Sequence, residues 1–73
     1  MELVGTVIET DREDHRRFRV RFQCTNKEEF EFFMSPAIKP LPVDEVVRVW
    51  TQPIRNEDGT ATEGSALIHW ENL

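Results

Sequence analysis

The sequence predicts one all-β domain, a small five-stranded antiparallel barrel, and three observations carry that prediction. Apolar residues recur at every second position over 17–24 and again over 29–34, the period of a strand with one buried face. Nowhere do they keep helical spacing for more than a turn. Turn-forming residues separate the runs at short intervals, and closing such short strands into a barrel removes the edges that an open sheet leaves unpaired. With 73 residues and 8.6 kDa the chain has room for a single domain, 1–73, and a single core, so function must be borne by its surface.

Residues 3–10 form the first strand candidate, β-branched and interrupted only by Gly5, followed by the charged loop 11–15. Closing that loop with Thr10 opposite Arg16 brings Ile8 over Phe18, Val4 over Phe22, Glu9 beside Arg17 and Gly5 beside Arg21. A glycine there marks a bulge at which the strand bends sharply enough to serve two sheets. In 17–24, Phe18, Val20, Phe22 and Cys24 share the apolar face, and Arg17, Arg19, Arg21 and Gln23 share the other. Across the loop Thr25-Asn26-Lys27, with Asn26 suited to the left-handed position, Phe22 meets Phe30, Val20 meets Phe32, Phe18 meets Met34, Arg21 meets Glu31 and Arg19 meets Phe33. A slip of one residue would bury charge, so the pattern itself selects this register.

Residues 35–42 hold three prolines, which exclude a regular helix and leave a crossing segment with at most a short turn. The run 43–51 resumes as a strand with Val47 and Val49 on one face and Val46, Arg48 and Trp50 on the other, and Pro53 ends it or marks an edge. Asn56-Glu57-Asp58-Gly59 is a turn signal, and 65–70 closes the fold with Ile68 and Trp70 on a common face.

Three stretches carry a family resemblance: Gly5-Thr6-Val7-Ile8-Glu9-Thr10, Phe18-Arg19-Val20, and Leu41-Pro42-Val43-Asp44-Glu45-Val46-Val47. Together they resemble bacterial translation initiation factor one and its relatives, which are OB-fold proteins. The resemblance implies an OB-like barrel and single-stranded or structured RNA as the ligand. Val43 stands where that family has the glycine of a Pro-Gly-Asp turn, and the tail 65–70 lacks its arginine-rich ending. An SH3-like barrel uses the same number of strands and similar turns, and strand order separates the two.

Net charge is −5, yet 15–27 contains Arg16, Arg17, Arg19, Arg21 and Lys27 without an acid, leaving −10 on the other 60 residues. Two readings of the arginine face follow. In one, Phe33 stacks on a base while Arg17, Arg19 and Arg21 meet phosphates, with Arg48 and Trp50 extending the platform around the barrel, so that single-stranded RNA or DNA is the ligand. In the other, Arg21 pairs across strands with Glu31, Arg17 pairs with Glu9 and Arg19 lies over Phe33, and the face is solvated. The acidic remainder and unpaired strand edges, with 43–51 as the candidate edge, point instead to a protein-interaction or oligomerising module with another protein chain as partner.

Chemistry finds few residues. His15 and His69 fall on different elements, Cys24 faces the core, and no serine sits in a nucleophile-elbow pattern, so no catalytic group and no enzyme is expected. One cysteine and two scattered histidines make no zinc site, and Asn56-Glu57-Asp58-Gly59 with Glu63 lacks the spacing of a calcium loop; no metal and no cofactor is expected. Without a long apolar run or a basic-flanked leader, and with a lone cysteine, the expected location is the cytoplasm, away from membranes.

Overall fold

A computed structural model describes the backbone of all 73 residues and the side chains of all but 61–63, so Glu63, weighed with the 56–59 turn as an oxygen donor, lies outside the described side chains. Five strands, β1 (Glu2–Asp14), β2 (Arg17–Cys24), β3 (Glu29–Met34), β4 (Val46–Arg55) and β5 (Ala61–Asn72), close into a barrel in the order β1-β2-β3-β5-β4. Strand β5 lies between β3 and β4, an OB-like order; in the SH3-type meander β3 and β4 would be neighbours. The barrel is not wholly antiparallel, because β3 and β5 run parallel where Phe33 faces Ala66. Among the described residues no helix is long and apolar enough to cross a membrane.

Strands β2 and β3 pair as their alternation requires: Phe18 faces Met34, Arg19 faces Phe33, Val20 faces Phe32, Arg21 faces Glu31 and Phe22 faces Phe30. Phe22 and Phe32 are buried with ring centroids 5.8 Å apart, and Val7, Val20, Met34, Leu41, Val47, Val49 and Leu67 complete the core, with Phe18, Cys24 and Trp70 packed against it. Burial pushes the Cys24 thiol pKa above its ordinary value. In the β2–β3 loop the left-handed residue is Lys27 (φ 72°), not Asn26. Lys27 N–H donates to the Cys24 carbonyl at 2.8 Å, so 24–27 forms the turn and the residue after its two central positions takes positive φ. Asn26 serves the turn through its side chain, whose oxygen accepts from the Glu28 N–H.

The first strand departs most from expectation. It runs on to Asp14, so the charged loop 11–15 shrinks to the turn His15-Arg16. Its register is also displaced: Val7 faces Phe22, Glu9 faces Arg21, Thr10 faces Val20, Asp11 faces Arg19 and Asp14 faces Arg17, with bulges at Ile8 and Glu13. Val7 rather than Ile8 is therefore in the core, and Ile8 is exposed. The physical reason is charge: extending the strand lays its acids opposite the arginines of β2, whereas a loop would leave both rows unmatched. The bulges of β1 do not fall at Gly5, which pairs on one side with Cys24 of β2, not Arg21, and on the other with Val47 of β4, within one closed sheet. A Cβ at Gly5 would lie 2.0 Å from the Gln23 carbonyl oxygen, so only glycine fits.

Strand β4 begins later than expected and passes through Pro53, where its far side has no partner strand. Its 46–50 portion is not an edge, since β1 flanks it on one side and β5 on the other. In β5 a bulge at Ile68 overturns the shared face expected for Ile68 and Trp70: Leu67 and Trp70 turn inward while Ile68 is exposed. Between β3 and β4 the proline-rich crossing makes one turn, closed by Ile38 N–H on the Ser35 carbonyl. Val43 there forms an isolated parallel bridge to Val7, and the positive φ falls on Asp44 (65°), so position 43 needs no glycine.

Candidate binding surfaces

The outward face of β1, β2 and β3 carries Arg17, Arg19 and Arg21 as their alternation requires, but the displaced β1 changes their company. Arg19 is held between Glu13 (2.7 Å) and Glu31 (3.3 Å), and Arg21 between Glu9 (3.1 Å) and Glu29 (3.2 Å). Hydrogen bonds from its guanidinium to Glu9 and then Glu29 raise the Arg21 pKa further. Each arginine leans diagonally, so Arg21 pairs with Glu29 although its backbone faces Glu31. With Asp11 included, five acids outnumber three arginines on this face.

Arg17 is different. Its guanidinium carbon stands 3.9 Å above the Phe33 ring centre, and no carboxylate among the described residues lies within 4.0 Å of it. The cation over Phe33 is therefore Arg17 and not the expected Arg19, and the expected pairs Arg17–Glu9 and Arg21–Glu31 give way to Arg21–Glu9 and Arg19–Glu31. Phe33 is half-buried: Arg17 covers one face, and on β5 the missing Cβ of Gly64 makes room for its edge, since a Cβ there would come 3.2 Å from Phe33 Cε2. At the neighbouring turn, the Arg16 N–H bonded to Asp14 at 2.6 Å holds that carboxyl below its ordinary pKa.

Arg48 and Trp50 stand on β4, which pairs with β1 at Val4 and Glu2 on the side away from β2. On the β5 side of Phe33, Ala66 stands between it and Gln52 of β4. Arg48 Nε lies 3.0 Å from Glu2 of β1, an ion pair without hydrogen-bond alignment, and the Trp50 ring rests 5.1 Å from that of His69, whose Nε2 approaches Glu71 at 3.1 Å. Trp70 is a packing residue: half-buried against the core, it donates to the Lys39 carbonyl at 2.8 Å.

A second surface was not foreseen from the sequence. Under the proline-rich crossing, a cavity of about 290 Å³ opens between β1 and that segment, walled by Thr10, Phe18, Met34, Ile38, Leu41 and Val43. Its walls are almost wholly apolar, and its size is at the low end for small-molecule sites, fitting one or two side chains better than a cofactor. Beyond Val7, no strand of the described residues pairs with β1 on the side away from β2. The signals in the sequence were the alternation Glu9, Asp11, Glu13, which continues a strand rather than a loop, and the apolar residues scattered among the prolines of 35–43. Comparison of the chain with family models, with curated proteins and with solved structures finds no match.

Proposed function

We propose that the protein is a non-catalytic OB-type binding module whose partner is another protein chain. One contrast supports this reading above all. Arg19 and Arg21, two of the three arginines that would meet phosphates, are already occupied by Glu9, Glu13, Glu29 and Glu31, while an apolar groove opens beside an unpaired strand edge. Phosphate binding would have to displace carboxylates from Arg19 and Arg21 on a protein of net charge −5, so the electrostatic gain that drives nucleic-acid binding is largely spent internally. An apolar groove next to free backbone donors and acceptors suits a peptide instead.

One observation favours the other ligand class: Arg17 stacked on Phe33, on the β2–β3 face where OB barrels take oligonucleotides. The two readings separate by presenting the protein with labelled oligothymidylate and oligouridylate, and with a peptide array, in one low-salt buffer. The protein-partner reading expects array binding and no oligonucleotide binding that weakens as salt rises. Salt-sensitive oligonucleotide binding that is lost in Arg17→Ala or Phe33→Ala, with a silent array, would overturn it.

A further inference from the structure

From the groove and the strand edge together we infer the chemistry of the partner: an extended segment of alternating basic and apolar residues that adds to β1 over 8–14 and places an apolar side chain in the groove. This rests on the protein-partner reading and deepens it. The chain already occupies the start of that edge itself, since Val43 bridges Val7 in parallel, and the edge continues without a partner strand past that point.

The alternation of β1 determines what an added strand would meet. Thr10 turns to the groove side, opposite Val20, while Glu9, Asp11 and Glu13 turn outward beside Arg21 and Arg19. An incoming strand presents its own side chains alternately to those two faces. Its inward residue beside Thr10 reaches the apolar walls formed by Phe18, Met34, Leu41 and Val43, where burial away from water is favourable. Its outward residues lie along a row of acids, and opposite charges on neighbouring strands attract while like charges repel. Asp11 is the free member of that row: Glu9 and Glu13 are ion-paired, whereas no cation among the described residues lies within 4.0 Å of Asp11. Lysine or arginine is thus favoured at the position beside Asp11, and the net charge of −5 disfavours a second copy of this acidic chain. The bulges at Ile8 and Glu13 bound the pairing, leaving a regular ladder of about four residues between them. Main-chain bonds along that ladder supply affinity, and the groove and the acids supply selectivity.

The test uses a fluorescein-labelled peptide alternating lysine with valine around a central leucine, titrated by anisotropy, with amide exchange read over 8–14. Binding should slow exchange at those amides, and glutamate in place of the lysines should abolish it. Val43→Lys, at an exposed groove wall, should weaken binding about tenfold or more. Asp11→Lys should lose the lysine peptide and gain the glutamate one, which guards against a variant that merely misfolds. Binding without slowed exchange at 8–14, an indifferent Asp11→Lys, or a concentration-dependent dimer that hides this edge would each overturn the inference. If the array binds peptides at another face, this site falls and the protein-partner reading stands; if only oligonucleotides bind, both fall.

Discussion

At the scale of single residues, two positions show local conformation overruling side-chain preference. Lys27 takes a left-handed φ of 72° because the 24–27 turn needs that conformation at its exit, and a side chain with a Cβ is strained there. Lys27→Gly should therefore raise stability by about 0.5–1 kcal/mol, the strain relieved being partly offset by the entropy glycine loses on folding. Urea unfolding checks this, and an unchanged or lower midpoint would contradict it. Asn26 was the more obvious left-handed candidate, since its residue type tolerates the conformation, but the turn type and not the residue type decides which position carries it. Phe33 illustrates a related limit. Its outward parity was legible from 29–34, whereas the identity of its covering cation was not, because that depends on how far β1 extends and which arginines its acids engage.

Among the elements, β2 and β3 were fully legible and β1 was not, for a physical reason. In β2 and β3 every second residue is apolar, so a slip of one residue exposes the core and only one register survives. In β1, Val7 and Ile8 are adjacent and equally apolar, so hydrophobicity leaves the parity open, and bulges at Ile8 and Glu13 shift it twice. The same cause hid the bulge at Ile68 in β5, beside Leu67. The pivot of β1 is Gly5, paired at once with Cys24 and Val47. Gly5→Ala places a methyl 2.0 Å from a backbone oxygen that no rotamer change can move, so the strands must part. The expected loss is about 3 kcal/mol, at the upper end for overpacking, and for a domain this small it lowers Tm by more than about 10 °C. A Tm within a degree or two of wild type would mean that β1 does not cross β2 as described.

For the whole molecule, the sequence showed a basic segment on an acidic body, and the fold sets acids of the neighbouring strands beside two of its arginines. Folding threads β1 and β3 along either side of β2, so arginines that are contiguous in sequence become interleaved with Glu9, Glu13, Glu29 and Glu31. A linear charge count has no access to that interleaving. The apolar groove was hidden for a similar reason: its walls come from β1, β2, β3 and the proline-rich crossing, and no local pattern unites them. On the proposed function, this carboxylate lattice, rather than a lack of arginines, keeps the β1–β3 face from acting as a phosphate site. Its most direct test is oligonucleotide anisotropy at low salt on the wild type and on a variant carrying Glu9→Gln, Glu13→Gln, Glu29→Gln and Glu31→Gln. The wild type should show no salt-sensitive binding, and the variant should acquire it, with log affinity falling against log salt at a slope of roughly −2 once the freed Arg19 and Arg21 act together with Arg17. A wild type that already binds with that slope, no more weakly than the variant, would contradict the account.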